Sequence, residues 1–290
     1  MTQSATTVTI AAQNLSHSGL VTASGDPDPG RWEGLMAALT EHRPDILLVQ
    51  EIGKWNDHNR QPLFRAERDL GLRMAGHIIT PAGGGTGVMV NPDTIHIQQF
   101  EDRYQHLAHH GLGVAVLELP GLATPLATIS THLTPYSAAA AAQEAQVMIA
   151  RTYRYGGLGL MGGDVNHFSH RDDPAAVPDP ATIPPYNRSS RWLVGADRTL
   201  APNRIVGRTL HLGGLTDVAL HMADRTGDTS LLSPTGRGRC RVDQFWVTPP
   251  LVPAITSYEH HQHAFSDHSL ILMRLNTSLV DINAALPEWI

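Results

Sequence analysis

The sequence predicts an α/β fold of two packed mixed β-sheets flanked by helices. Three observations carry this. Short apolar runs with strand periodicity recur along the 290 residues, and only a few segments carry helical spacing. Several successive strands are separated by short turns, which favours antiparallel pairing. A chain of this length that is 41% hydrophobic can bury a substantial core. No fixed-period repeat and no composition break marks a boundary, so 1–290 reads as a single domain.

The elements follow in order. Val8, Ile10 and Ala12 alternate with Thr7, Thr9 and Ala11, the period of a strand with one buried face, and this strand runs out at Gln13-Asn14. After loop signals at Ser18-Gly19 and Gly25-Asp26-Pro27, Pro29 opens a helix with the apolar stripe Trp32, Leu35, Met36 and Leu39. Pro44-Asp45 precedes the continuous apolar strand Ile46-Leu47-Leu48-Val49, which ends at Gln50-Glu51. A short helix is predicted over 62–72. Gly83-Gly84-Gly85-Thr86-Gly87 looks like a phosphate-cradling loop, but no Gly-Lys-Ser/Thr follows, so it reads as a hairpin turn into Val88-Met89-Val90.

Further strands are predicted over 95–100, 112–119 and 126–131, the last ending at Thr131-His132-Leu133. Ser137 caps an Ala-rich helix from Ala138 to Tyr153. Leu158-Gly159-Leu160-Met161 reads as a buried strand running into Gly162-Gly163-Asp164-Val165-Asn166. The Pro-rich stretch 172–187 is a surface loop, Ser190 to Ala196 reads as helical, and another short helix lies near Leu215-Thr216-Asp217-Val218. Arg241 to Val247 is a strand stopped by Pro249-Pro250, and the final strand starts at Ser269.

Bulk properties narrow the function. No run of about 18 apolar residues exists, so no transmembrane helix is expected. Met1 to Thr7 lacks a basic region followed by an apolar one, so a signal peptide is not expected. The single Cys240 excludes a disulfide framework and a cysteine-based zinc site, and a cytoplasmic setting fits. The net charge of −6 does not favour general affinity for nucleic acid. Yet Arg188 to Arg241 holds nine Arg against four Asp, a local +5 that leaves −11 for the rest. Arg suits bidentate phosphate recognition; a chain-wide preference for Arg over Lys accounts for the segment equally well.

Phe265-Ser266-Asp267-His268-Ser269-Leu270 puts a carboxylate and an imidazole just ahead of an apolar strand. The same happens elsewhere. Asn14, Glu51, His132 and Asp164 lie at or just past strand ends, whereas Asp243, Asp267 and His268 lie at strand starts. In a mixed sheet, starts of some strands share a rim with ends of others, so one rim can gather all seven. Singly each is an ordinary turn, edge or ion-pair residue; together they form a site. Glu51, Asp267 and Asn14 offer hard oxygens suited to Mg²⁺ or Mn²⁺. Asp164 is placed to take a proton from water, with the Asn166 amide beside it. Asp243 can orient His268, and cationic His268 and His132 can stabilise charge on a phosphoryl group.

Arg237, Arg239 and Arg241 alternate into the strand carrying Asp243. A solvated strand face is the plain reading; contact of Arg239 or Arg241 with a substrate phosphate is the competing one. His106, His109 and His110, and His260, His261 and His263, form two clusters without the spacing of a zinc motif. Trp192 reads as a packing residue rather than a stacking platform. Ser266 and Ser269 flank the Asp-His pair without a Gly-x-Ser-x-Gly elbow, which argues against a serine hydrolase.

In this order, Gln13-Asn14-Leu15, Leu48-Val49-Gln50-Glu51, Ser130-Thr131-His132-Leu133, Gly162-Gly163-Asp164-Val165-Asn166, Arg241-Val242-Asp243 and Phe265-Ser266-Asp267-His268 resemble the motifs of the endonuclease/exonuclease/phosphatase superfamily. The resemblance spans about residues 7 to 275. It implies a four-layer α/β/β/α sandwich with the active site at one edge of the two sheets. It implies Glu51 as principal metal ligand with Asn14 and Asp267 nearby, Asp164 positioning or deprotonating the nucleophile beside Asn166, and an Asp243–His268 pair and His132 on the phosphate.

Two positions depart from the pattern. Ser16 stands where several nucleases carry an acidic residue, which puts a second tightly held metal in doubt. Ala138 to Ala142 stands where the helix after the Thr-His-Leu strand often holds an Arg. The expected activity is Mg²⁺- or Mn²⁺-dependent phosphoester hydrolysis, of a diester or nucleic acid first. The alternatives are a phosphomonoesterase on a nucleotide, sugar or lipid phosphate, or a catalytically silent binding module. The expected partner is a phosphorylated substrate, with no obligate protein partner.

Overall fold

Two six-stranded mixed sheets face each other across the main core in the computed structural model, which describes residues 7–81, 83–236 and 238–284. In chain order the first half comprises β1 (Thr7–Asn14), α1 (Pro29–Glu41), β2 (Ile46–Gln50), α2 (Asp57–Leu70), β3 (Arg73–Ile79), β4 (Gly85–Val90), β5 (His96–Glu101), β6 (Val114–Glu118) and β7 (Leu126–His132). There follow α3 (Ala138–Thr152), β8 (Gly159–Asp164), α4 (Pro185–Arg191), β9 (Trp192–Val194), β10 (Leu200–Pro202) and α5 (Ile205–Leu212). The chain closes with β11 (Thr216–Asp217), α6 (Val218–Thr226), β12 (Asp243–Val247), β13 (Ile255–His261) and β14 (Leu270–Asn276).

The first sheet has the order β13-β14-β1-β2-β4-β3 and the second β11-β12-β8-β7-β6-β5. Each holds one parallel pair, β1 with β2 and β7 with β8, amid antiparallel neighbours. Ile10, Ile46 and Val88 of the first sheet meet Leu117, Leu160 and Phe245 of the second in the shared core. The outer face of the first sheet packs on Trp32, Leu35 and Leu39 of α1 and Leu63 of α2. That of the second packs on Ala141, Ala145 and Met148 of α3 and Leu210 of α5. The four layers are therefore α/β/β/α.

Local chemistry sets the helix starts. The Asp28 side chain accepts from Arg31 N at 3.1 Å ahead of Pro29, and the Ser137 hydroxyl accepts from Ala140 N at 3.3 Å. The segment 190–196, expected as helix, is split instead: α4 ends at Arg191, and Trp192–Val194 pairs with Leu200–Pro202 as a hairpin. Its turn holds Arg198 at φ +64°, and Asp197 accepts from the Thr199 N–H and hydroxyl, so turn chemistry overrides helix continuation. Strands β3 and β13 and helix α5 lie outside the elements expected from sequence. Both strands are sheet edges, where Arg73, Ser257, Glu259 and two histidines face solvent and blur the apolar alternation. His260 and His261 accordingly sit in a strand.

Candidate active site

Strand register builds the rim. His132 pairs with Asp164 across β7 and β8, and Asp164 pairs with Asp243 across β8 and β12. In the other sheet Asn14 pairs with Gln50, which places Glu51 one residue beyond. Ala12 pairs with Ile271, which brings the segment before β14 back beside Asn14. Gln50 then ties the sheets together, donating to Ser130 Oγ at 2.9 Å, while that hydroxyl donates to Val49 O at 2.8 Å. The loop carrying Asp267 and His268 is fastened from two sides. Ser266 Oγ donates to Asn14 O at 2.7 Å, and Arg31 Nε donates to Phe265 O at 2.8 Å.

Glu51, His132, Asp164, Asn166, Asp267 and His268 line one cleft of about 600 Å³. Glu51 and His268, from opposite ends of the chain, thus open onto one space. His268 Nδ1 lies 2.9 and 3.0 Å from the two oxygens of Asp243, and its Nε2 lies 3.7 Å from Asp164 Oδ2. Burial alone would lower the pKa of His268, but Asp243 and Asp164 outweigh it and push it up to about 10. His268 is therefore an imidazolium at neutral pH.

His132 differs. Its Nε2 lies 3.6 Å from Asp164 Oδ2, yet burial dominates and pushes its pKa down to about 4. The expectation of two cationic histidines is corrected: His132 is neutral, because full burial outweighs the attraction of Asp164. Asp164 itself is held below the usual carboxylate range. Burial opposes this, but the cationic His268 and Arg191 and the Asn166 N–H beside it prevail.

Asn166 N donates to Asp164 Oδ1 at 2.9 Å, and Asn14 Nδ2 donates to Asp164 Oδ2 and to Glu51 Oε1, both at 3.1 Å. Asn14 Oδ1 accepts from Ser16 N at 2.9 Å. Asn14 therefore turns its nitrogen toward Glu51 and orients the carboxylate, rather than offering it an oxygen neighbour. Glu51 Oε2 also accepts from His17 N at 2.8 Å. Glu51 and Asn166 have φ of +60° and +62°, left-handed conformations uncommon for such residues and frequent at functional sites.

Arg241 is corrected as a substrate contact. Its side chain is 2% exposed, and its guanidinium donates to Asp172 Oδ1 at 3.0 Å and Asp217 Oδ2 at 2.7 Å. It anchors the segment following Asp164 rather than facing the cleft. Arg239 is exposed on a smaller neighbouring cleft, and Arg237 lies outside the described residues. Trp192 packs edge-on against Phe168 at 5.1 Å, in keeping with a packing role.

Several cleft residues escaped the sequence reading. His110 stacks on His132 with ring centroids 3.8 Å apart. Arg191 donates through Nε to Asn166 O at 2.8 Å and through its terminal nitrogen to Asn166 Oδ1 at 3.2 Å. Lys54 and the tyrosines Tyr136 and Tyr186, 73% and 74% exposed, also line the cleft. The one usable signal was Lys54, the sole lysine, three residues after Glu51.

Among the described residues, ligand atoms of Asp164, Asp243 and His268 lie within 4.8 Å of one another. A protonated His268 already bound to Asp243 is a poor cation ligand. The carboxylates of Glu51 and Asp267, hard-oxygen donors, line the same cleft.

This fold is that of the endonuclease/exonuclease/phosphatase superfamily. The chain matches D. rerio TDP2 complexed with single strand DNA product at TM-score 0.58 and 14% identity, covering 93% of this chain and 99% of that one. An endonuclease/exonuclease/phosphatase from Bacteroides vulgatus matches at TM-score 0.60 and 14% identity, over 93% and 98% of the two chains. An AP endonuclease from Archaeoglobus fulgidus matches at 0.57 and 16%, over 92% and 98%. No family profile and no curated protein matches the sequence. No helix among the described residues is long and apolar enough to cross a membrane.

Proposed function

We propose that residues 1–290 form one domain that hydrolyses phosphoesters, diesters in preference to monoesters, with Mg²⁺ or Mn²⁺ as cofactor. One observation carries this reading: the ionised Asp164 carboxylate sits between His268 and His132 in the same cleft as Glu51. Glu51 and Asp267 would hold the cation, which when bound draws charge from the phosphoryl oxygens.

The chain's own residues then have separate tasks. Asp164, fixed by the Asn166 and Asn14 N–H groups, orients a water for attack on phosphorus and receives its proton as the new P–O bond forms and the leaving P–O bond breaks. The His268 imidazolium, held by Asp243, stabilises the growing charge on a phosphoryl oxygen. His132 donates one neutral N–H to the same group. Asn166 keeps one amide hydrogen for substrate, since among the described residues its Nδ2 donates to Leu133 O alone, at 2.9 Å.

Exposed Tyr136 and Tyr186 favour a ring-bearing substrate, because aromatic faces stack on bases. The DNA-bound relative supports a single-stranded nucleic acid or a nucleotide diester over a sugar or lipid phosphate. The test is release of p-nitrophenol from bis(p-nitrophenyl) phosphate with Mg²⁺ or Mn²⁺. Turnover that EDTA abolishes and that Asp164→Asn lowers by about a thousandfold is expected. Absence of turnover with either metal, on that ester and on single-stranded DNA and RNA, returns the chain to a silent binding module.

A further inference from the structure

Two clefts, of about 600 and 280 Å³, lie on either side of the Asp267–His268 segment, and both residues line both. We propose that the smaller cleft is a subsite for a second phosphate, so that the substrate is a phosphodiester straddling Asp267–His268 with one arm in each cleft. The inference rests on the hydrolase reading above and names its substrate more closely.

The geometry of His268 sets the crossing point. Its Nε2 faces Asp164 in the larger cleft. Its ring lies against Gly236 of the smaller cleft, where an added Cβ would come within 3.2 Å of His268 Cε1. His268 itself lines both spaces. A phosphoryl group on His268 can therefore send one substituent each way. A monoester has a single organic arm and leaves one cleft unused; a diester has two.

Arg239 gives the smaller cleft its chemistry. Arg191 and Arg241 spend their guanidinium groups on buried partners. Arg239 is exposed and makes no hydrogen bond or ion pair among the described residues. It follows Gly238 at φ +81° and itself has φ +57°, a backbone that arginine rarely adopts. A free guanidinium on a cleft wall matches a phosphate in fork geometry. The adjacent residue His263 is already engaged, its Nε2 lying 2.9 Å from Gln13 Oε1, so the anion falls to Arg239. Phosphates on successive units of a single nucleic-acid strand supply this pair of charges, and Tyr136 and Tyr186 on the larger cleft suit the ring of the opposite arm.

The experiment uses thymidine p-nitrophenyl phosphodiesters in both polarities: the 5′ ester with a 3′-hydroxyl or 3′-phosphate, and the 3′ ester with a 5′-hydroxyl or 5′-phosphate. In one polarity the added phosphate should lower KM about tenfold for the natural chain. In Arg239→Gln that ratio should shrink to about twofold or less, and the extra salt dependence of about one ion should vanish with it. No gain in either polarity, or a gain undiminished in Arg239→Gln, overturns the subsite. If no ester is turned over with Mg²⁺ or Mn²⁺, the hydrolase reading fails on its own. Calorimetry then compares thymidine 3′,5′-bisphosphate with the two monophosphates, and equal affinities overturn the subsite.

Discussion

His268 is clamped to Asp243, its Nδ1 reaching both carboxylate oxygens at 2.9 and 3.0 Å. This leaves Nε2 as the only ring nitrogen facing the cleft and holds the ring protonated. Asp243→Asn keeps the shape and removes the charge. In steady-state assays on bis(p-nitrophenyl) phosphate, kcat and kcat/KM should fall together by about a hundredfold or more. A loss under threefold would remove His268 from the reaction.

Arg241 sits buried between the carboxylates of Asp172 and Asp217. Arg241→Met leaves Asp172 and Asp217 as buried charges without their main cation. Urea unfolding should show a loss of about 3–5 kcal/mol. The double change Arg241→Met with Asp217→Asn should recover part of it. Unchanged stability in the single variant would show that water reaches the cluster.

His167 predicts how stability responds to acid. It is fully buried, its Nε2 lies 2.9 Å from Thr134 O, and burial pushes its pKa down to about 4 from an ordinary 6.5. The folded state therefore holds it neutral. Its contribution is complete above pH 6.5 and drains away as pH falls toward 4, by about 3 kcal/mol at most. Thermal melts from pH 7 to 4 should show Tm falling, with a shallower slope in His167→Gln. Parallel slopes would contradict the assignment.

Tyr136 and Tyr186 are checked by paired substrates. Tyr136→Ala and Tyr186→Ala should each raise KM about tenfold for a short oligothymidylate, whereas the Phe variants should stay within about twofold. If Ala and Phe behave alike, the hydroxyls or the loop backbone matter rather than the rings.

How much of this was legible beforehand depended on what each residue answers to. Asn14, Glu51, His132, Asp164, Asp243 and His268 could be found because a polar group at a strand end contradicts its apolar neighbours locally. The inner strands β2, β7 and β8 were equally plain, being buried on both faces, whereas β1, expected to bury one face, buries both over most of its length. Arg241 misled because alternation placed it with Arg239, while its partners Asp172 and Asp217 lie 69 and 24 residues away. The edge strands β3 and β13 were hidden by polar side chains that break the apolar alternation. His110 and Arg191 entered the cleft through loop and helix-end geometry, which no local pattern encodes.

The pairing of β1 with β14 joins Thr7 to Asn276. The residues through Asn276 must be synthesised before the strand bearing Asn14 finds this neighbour, and with it the loop of Asp267 and His268. Loop closure over such a span is slow and comes late. A chain that ends before Asp267 therefore lacks that side of the mouth, and competence arrives only when β14 docks.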